Sequence, residues 1–205
     1  ALTNITHLVL LPISNPKLGY DPHRDLTNIA YVAGAPIMLS VNAASGVQSY
    51  KDFIAHGQKA ANPLTYSSSG VGSSGHLVGE SFAQKAGIKV EHVPYKGASQ
   101  GIMDLVAGHI FFSAQTVSSS AAQVRAGTLK AIVHSHASRL PDFPDVPTFK
   151  ELGYDLVATT WFTISGPAGL PNDIVQKMNR EIIRALRASA AALGHPEDER
   201  WLCCL

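Results

Sequence analysis

The sequence predicts an α/β protein with an open sheet whose strands are joined through helices. From about residue 48, helix-like and strand-like segments alternate, and a glycine follows several of the helical segments. Glycine at that position is typical of a helix end, because it adopts the left-handed conformation without strain. Strands joined through helices pair in parallel with right-handed crossovers. We therefore expect parallel pairing in this sheet.

The alternating region begins with a predicted helix over 48–60 and a predicted strand over 64–69. The glycine-rich turn GVGSSG (70–75) separates this strand from the next helix. The elements that follow are a helix over 76–86, a strand over 88–93, a helix over 99–107, a strand over 109–115, a helix to Ala126 and a strand over 129–135. Gly87, Gly108 and Gly127 end the three helices after the turn.

Two extended crossings flank this region, YVAGAPIMLSVNA (31–43) and YDLVATTWFTISGPAG (154–169). Two such crossings are what a two-strand hinge between two lobes requires. Between them, SRLPDFPDVPTFKELG (138–153) carries three prolines at a spacing of three, which favours an extended surface segment. A final helix is predicted from Pro171, with one apolar face formed by Ile174, Met178, Ile182 and Leu186.

The composition excludes several classes of protein. The chain has 16 basic and 15 acidic side chains and no run of like charges, so we expect no nucleic-acid partner. No stretch approaches the roughly 18 apolar residues of a membrane helix. The first residues lack the basic opening of a secretory signal, so we expect no signal peptide in this chain. Cys203 and Cys204 are adjacent near the C-terminus, so they can neither cross-link the rest of the chain by a disulfide nor supply spaced metal ligands.

The most informative segment is the serine loop, which we define as residues 68–76. A strand that ends in serines, a flexible turn and a helix start together present hydroxyls and unpaired N–H groups at one point. The helix dipole adds about half a positive charge there, so a carboxylate could be held without Arg or Lys. The alternative is that these residues only cap the helix and form the turn. The candidate ligand contacts are Ser68, Ser69, Gly70, Gly72, Ser73, Ser74 and His76.

The same loop matches G-x-G-x-x-G at Gly70, Gly72 and Gly75, with acidic Glu91 further along the chain. The match is partial, because the preceding strand is polar and Glu91 falls inside its own strand. We therefore expect no nicotinamide or flavin cofactor. A serine hydrolase would need G-x-S-x-G, which the sequence lacks, and we expect no catalytic residues.

Three further segments carry polar residues. Tyr95, Lys96 and Gly97 form a second strand-to-helix bend, which should lie beside the serine loop if the two strands are parallel neighbours. Lys96 is either a ligand contact or a solvated turn lysine. TNITH (3–7) is predicted to be a third polar loop. His134 and His136 share a strand face but lack a third ligand at suggestive spacing, so we expect no metal site.

Four segments of the chain carry a family resemblance: YSSSGVGSSGHLVGE, VPYKGASQGIMDLVAGHI, RAGTLKAIVHSHASRLPDFPDVPTFKELG and WFTISGPAGLPNDIVQKMN. They resemble the solute receptors of tripartite tricarboxylate transporters, also called the Bug family. The resemblance covers approximately residues 3–187, and the last two motifs are distinctive in order and spacing.

The resemblance implies a type II periplasmic-binding-protein fold, in which two α/β lobes close over a carboxylated ligand and pass it to a membrane permease. Such ligands include dicarboxylates, amino acids, nicotinate and aromatic acids. It implies a first lobe formed by residues 1–41 and 158–205 and a second lobe formed by residues 42–157, with the serine loop on the second lobe. The resemblance also implies that Thr3, Asn4 and Thr6 contact the ligand from the first lobe. It places Thr160, a further candidate ligand contact, at the hinge.

The sequence departs from the family pattern at both ends. The first strand and a proline-glycine-rich loop of the family are missing, and ALGHPEDERWLCCL looks unlike the family. We therefore expect an incomplete first lobe that leaves the second-lobe carboxylate contacts in place. The chain then either binds its ligand weakly or needs the absent segment in order to bind. The alternatives are a nucleotide-dependent enzyme that uses the GVGSSG loop and a fragment that binds nothing. Thermal shifts with NAD(P) or FAD, as against organic acids, discriminate between the first two functions.

Overall fold

A computed structural model describes residues 1–192 of the chain. Over this range the chain forms two compact units. One unit contains Ala1–Ala35 and the described residues from Thr160 onward, and the other contains Pro36–Thr159. Strands β2 (Leu26–Asn42) and β7 (Thr159–Pro167) run through the two boundaries. That the units act as the two lobes of a receptor stays a prediction.

The second unit alternates strands and helices as the sequence predicts, which confirms the α/β class. Its elements after β2 are a 3-10 turn at Ala43–Ser45, α3 (Tyr50–Lys59), β3 (Leu64–Ser68), α4 (Ser74–Ala86), β4 (Val90–Pro94), α5 (Ala98–Val106), β5 (Phe112–Thr116), α6 (Val117–Arg125) and β6 (Leu129–His134). Two helices begin at serine caps, since the Ser49 side chain accepts from Asp52 N–H and the Ser73 side chain accepts from His76 N–H. Gly87 ends α4 with a φ of 65°.

The expectation of parallel pairing is only partly correct. β3 pairs in parallel with β4 and with β5, but β2 lies between β5 and β6 and is antiparallel to both. β2 takes a central position because its half in this unit is buried from Pro36 to Val41 and, apart from Ser40, apolar. Hydrophobic patterning sets burial but carries no information about strand direction. The sheet is therefore mixed.

Helices cover both faces of this sheet. Tyr66 and Ser67 are adjacent in β3 and point to opposite faces, and a Cβ on Gly79 of α4 would touch the Tyr66 ring whereas one on Gly101 of α5 would touch Ser67. The core on the α4 side is aromatic, and its fully buried rings are Phe53, Tyr66, Phe82, Phe112 and Phe149. Phe112 stacks on Tyr66 with 4.9 Å between ring centroids. This packing holds α4 against the sheet.

The proline-rich segment 138–153 forms successive turns, so the expected extended surface segment is wrong. Phe143 N–H donates to the Leu140 carbonyl, and Val146 N–H donates to the Phe143 carbonyl. Leu140, Phe143 and Phe149 are buried. Proline suits turn positions as well as extended ones, and the burial of these apolar side chains selects the turns.

The first unit contains β1 (Leu2–Asn4), a π-helical segment (Thr6–Leu10) that continues into α1 (Leu11–Ser14), α2 (Pro22–Asp25), parts of β2 and β7, and α7 (Asn172–Ala192). β1 pairs antiparallel with β7, so the polar loop expected at residues 3–7 is instead a strand followed by a helical turn. The pairing with β7 is a long-range contact that local sequence does not encode.

Helix α7 begins close to the predicted position but does not bury the expected face. Asn179 Nδ2 donates to the Ile29 carbonyl at 2.7 Å. Ile174 and Met178 remain 43% and 39% exposed, whereas Ile182 and Leu186 are half-buried. Among the described helices, none combines the length and the apolar character that crossing a bilayer requires. The predicted unusual tail and both cysteines lie outside the described residues.

The start of α4 depends on Gly75. A Cβ at this position would lie 2.1 Å from the Ala114 carbonyl oxygen of β5, a distance that backbone atoms cannot relieve by side-chain motion. We expect Gly75→Ala to lower the free energy of unfolding by about 2–3 kcal/mol, as overpacking does, measured by urea denaturation. Gly19→Ala is the control, because a Cβ at Gly19 meets no atom within 4 Å. Equal stabilities of the two variants would contradict this explanation.

Candidate functional site

The serine loop lies where three parallel strands end. β3, β4 and β5 run in the same direction, so the loops that follow them meet at one sheet edge. Tyr95 N–H donates to the Ser68 carbonyl at 3.2 Å. The structure thus brings the β4–α5 bend, with Tyr95, Lys96 and Gly97, next to the serine loop.

Two glycines with positive φ shape the serine loop. Gly70 has a φ of 119° and Gly72 a φ of 75°, which L side chains rarely adopt. Ser73 N–H donates to the Gly70 carbonyl at 3.2 Å, closing a turn. Gly72 N–H donates to His76 Nδ1 at 3.1 Å, which ties the turn to the first turn of α4. The loop is therefore a fixed turn whose shape follows from its glycines.

Three of the candidate hydroxyls bind protein atoms. Ser68 Oγ donates to the Gly70 carbonyl at 3.0 Å and lies 2.6 Å from His92 Nε2. Ser73 Oγ donates to Ser68 Oγ at 3.2 Å and accepts from His76 N–H at 3.3 Å. Ser69 Oγ donates to Gln115 Oε1 at 2.7 Å. For these hydroxyls, the capping-and-turn alternative describes what the structure contains.

Three donors without an acceptor lie at the first two positions of α4. Ser74 Oγ is buried and has no hydrogen-bond partner among the described residues. His76 N–H and Leu77 N–H are taken by Ser73 Oγ and the Ser73 carbonyl, whereas Ser74 N–H and Gly75 N–H have no acceptor in the described part of the chain. Three donors at a helix N-terminus form an arrangement that binds anions.

Gln115, at the end of β5, was missed by sequence reasoning. It falls in the predicted strand 109–115 and is not among the predicted ligand contacts. Its side chain is only 1% exposed, its Oε1 accepts from Ser69, and its Nε2 has no partner within residues 1–192. The available signal was its position, since a polar residue at the carboxyl end of a strand beside the loop lies at the ligand edge of such sheets.

Behind the loop, His76 and His92 stack with 4.1 Å between ring centroids. Tyr66 Oη donates to Glu80 Oε1 at 2.8 Å, beside these rings. Burial, and then the neighbouring His76, lower the pKa of His92 to about 4. His92 is therefore neutral at pH 7, and its interaction with Ser68 supports the loop without adding a positive charge.

A side-chain hydrogen bond also holds the bend after β4. Tyr95 Oη donates to Asp104 Oδ2 at 2.5 Å, and burial followed by this bond raises the pKa of Tyr95 to about 12. Gly97 precedes α5 as its N-cap, and Lys96 is exposed. The choice between a ligand contact and a solvated lysine at position 96 stays open.

The remaining candidates lie in the first unit. Thr3 Oγ1 hydrogen-bonds to Thr163 Oγ1 at 2.8 Å and to Ser165 Oγ at 2.7 Å, within the β1–β7 pair. Asn4 Oδ1 accepts from Thr6 N–H at 3.0 Å and so caps the helical segment that follows. Thr160 is buried, and its Oγ1 has no partner among the residues described. Their proximity to a ligand stays a prediction.

His134 and His136 do not form part of a metal centre in the described residues. Their ring centroids are 6.5 Å apart, and His134 Nδ1 accepts from His136 N–H at 3.3 Å. Over residues 1–192, no group of three or more His, Cys, Asp or Glu side chains is placed to hold a metal ion. His134 is instead fully buried at the end of β6.

A mixed α/β sheet with a glycine-shaped serine loop and free donors at its carboxyl edge defines an α/β protein with a candidate anion site. The sequence profile of the tripartite tricarboxylate transporter family receptor matches residues 2–195. The chain belongs to this family, which confirms the resemblance found in its sequence motifs.

Curated relatives agree with this assignment. The UPF0065 protein in the gbd 5' region of Cupriavidus necator is 35% identical over 170 residues, covering 83% of this chain and 52% of the relative. Protein BugT of Bordetella pertussis is 30% identical over 176 residues, covering 85% and 54%. The chain thus spans about half the length of these curated relatives.

Two solved structures are similar along most of the chain. A periplasmic transporter has a TM-score of 0.88 and 30% identity, covering 96% of this chain and 66% of that one. R. palustris Rpa4515 with adipate has a TM-score of 0.81 and 28% identity, covering 91% and 62%. These similarities confirm that the fold is that of the predicted family.

The buried histidines predict a pH dependence of stability. Burial, and then His136, lower the pKa of His134 from its ordinary 6.5 to about 4. Between these values the unfolded chain binds a proton that the folded chain excludes, so stability falls as the pH falls. For His134 this loss is on the order of 1–2 kcal/mol between about pH 7 and pH 5.

His134→Asn should flatten this profile, because asparagine keeps an acceptor for His136 N–H but does not titrate. The free energy of unfolding, measured in urea at the two pH values, should change less in this variant than in the wild type. An equal change in both proteins would show that His134 is not responsible.

Proposed function

We propose that this protein is a solute-binding receptor, without turnover, that captures a small carboxylated organic anion at the serine loop. The observation that carries the proposal is the set of three uncommitted donors at the start of α4, namely Ser74 Oγ, Ser74 N–H and Gly75 N–H. Family membership supports the receptor role, and the adipate bound by a relative supports a carboxylate as ligand. The periplasm as location and a membrane permease as partner are part of this proposal.

Neutral donors suffice for such an anion. A hydrogen bond to a charged group contributes about 1.5–3 kcal/mol, and the helix N-terminus adds a partial positive charge. Ser74 N–H and Gly75 N–H are held rigidly, because Gly75 packs against the Ala114 carbonyl. A carboxylate with two oxygens fits donors that are adjacent and fixed, since no reorganisation is needed when the ligand arrives.

The nucleotide-enzyme alternative has less support. A dinucleotide site needs an acidic side chain at the carboxyl edge of the sheet to bind the ribose. Glu91 is the second residue of β4 (Val90–Pro94), so three further residues separate it from the end of the strand. At about 3.3 Å per residue this is roughly 10 Å from the edge. Glu91 therefore does not serve that role.

Isothermal titration calorimetry with succinate, malate, adipate and benzoate tests the proposal. We expect at least one of these acids to bind the wild-type chain and Ser74→Ala to weaken that binding by roughly tenfold, the value of one hydrogen bond to a charged group. Ser14→Ala removes an exposed hydroxyl from the first unit and is the matched control. It should leave the affinity unchanged.

Two results would contradict the proposal. One is a failure of all four acids to bind even at millimolar concentration. The other is a thermal shift with NAD(P) or FAD and none with organic acids, which would favour the nucleotide enzyme.

A further inference from the structure

Among the described residues, a buried side-chain amide at the sheet edge has a nitrogen that the fold itself does not use. Gln115 is 1% exposed, and its Nε2 is buried without a partner among residues 1–192. An unpaired buried donor is destabilising, and native proteins almost always supply a partner for it from the chain, a bound water or a ligand. The carbonyl of the same amide is in use, because Oε1 accepts from Ser69 Oγ at 2.7 Å.

Rotating the amide does not remove the problem. If Oε1 and Nε2 exchanged places, Nε2 could donate to Ser69 Oγ, but Oε1 would then be the buried atom without a partner. One end of the Gln115 amide therefore lacks a partner in either orientation. In the orientation that the structure shows, Ser69 occupies the acceptor and only the donor is left.

Gln115 is also close to the uncommitted donors along the backbone. The residue before it, Ala114, supplies the carbonyl against which Gly75 packs. Its hydrogen-bond partner, Ser69, belongs to the serine loop. Gln115 is thus connected to the first turn of α4 through a backbone contact on one side and to the loop through a hydrogen bond on the other.

The two faces of the sheet contribute different groups to this edge. Ser113 pairs with Ser67, so Gln115, two residues further along β5, lies on the face of Ser67. Ser68, with His92, lies on the opposite face. The loop crosses the edge between these faces, with the histidine pair supporting it from one side and Gln115 from the other.

We propose that Gln115 is a ligand-contacting residue whose Nε2 donates to the bound carboxylate, with Ser69 fixing the orientation of the amide. This inference rests on the proposed function and adds a residue that its sequence motifs did not indicate. Its chemical consequence is that position 115 presents a donor and no free acceptor to the ligand. The site accordingly selects the ionised form of a carboxylic acid.

Gln115→Glu provides the sharpest test, because it keeps the shape of the side chain and replaces the donor with a carboxylate. Binding of the acid that the wild type prefers among succinate, malate, adipate and benzoate is measured by calorimetry at about pH 7.5 and pH 5.5. We expect the ionised glutamate to weaken binding by more than about a hundredfold at the higher pH through like-charge repulsion.

At the lower pH, protonation of the new carboxyl restores a donor, so the affinity of the variant should rise by about tenfold or more. A structural defect caused by a buried charge would also disappear on acidification, so the free energy of unfolding of the ligand-free variant is measured at both pH values. A ligand contact requires the affinity to recover by more than that change in stability explains. Gln84→Glu introduces the same charge on an exposed residue near the far end of α4 and is the matched control. Its affinity should stay within about twofold of the wild type at both pH values.

Ser69→Ala is a second variant that keeps the inference testable if a buried glutamate prevents folding. Ser69 is exposed, so its replacement should not disturb the core. Loss of the tether should weaken binding by about three- to tenfold, because the amide is no longer held in the binding orientation.

Three outcomes decide the matter. Weakened binding in Gln115→Glu with recovery at low pH, or weakened binding in Ser69→Ala where that variant alone folds, supports the inference. If the wild type binds an acid and both variants bind it as Gln84→Glu does, the inference is overturned while the proposed function stands. If the wild type binds none of the four acids, the proposed function fails and this inference fails with it.

Discussion

The close approach of Gly75 to the Ala114 carbonyl is the contact on which the geometry of the site depends. It sets the first turn of α4 directly on β5, at a separation that any side chain at position 75 would prevent. From this contact the two N–H groups at the start of α4 obtain a fixed direction. Gln115, the residue after Ala114, accepts a hydrogen bond from Ser69 of the serine loop.

Within the serine loop, some hydrogen-bonding groups are used by the fold and others have no partner among the described residues. Ser68 and Ser73 bind each other, the turn and the histidine pair, and so give the loop its shape. Ser74 and the adjacent amides have no such role in the described structure. A loop that satisfied all its donors internally would have nothing to offer an anion, whereas a loop that satisfied none would not be rigid. The observed division provides both rigidity and free donors.

The predictable parts of the fold are those that local chemistry determines. Ser49 and Ser73 cap the starts of two helices, and Gly87 ends one of them in a left-handed conformation. The predicted ends of these helices accordingly lie within a few residues of those in the structure. The direction of β2 was not predictable, because its apolar run fits a parallel or an antiparallel central strand equally well. The turns of segment 138–153 were also missed, since the prolines alone do not reveal which side chains become buried.

The candidate site also has features that the sequence predicts and features that it does not. Its location at a strand-to-helix turn followed from the composition of the loop, and the family resemblance pointed to the same residues. Which hydroxyls remain free depends on contacts with His92 and Gln115, which are 24 and 46 residues away in sequence from their partners Ser68 and Ser69. No local pattern encodes such contacts, so the sequence could not show which serine hydroxyls the fold itself uses, and it did not indicate Gln115.

Nitrogen-15 NMR during titration with an organic acid tests, one donor at a time, whether the uncommitted donors bind a carboxylate. If the uncommitted groups bind the carboxylate, the backbone N–H resonances of Ser74 and Gly75 and the side-chain amide resonances of Gln115 should shift downfield together with one binding curve. The N–H of Gly72, which donates to His76 Nδ1 within the protein, should shift much less. Saturation with the acid that leaves the Ser74 and Gly75 resonances unmoved would contradict the account.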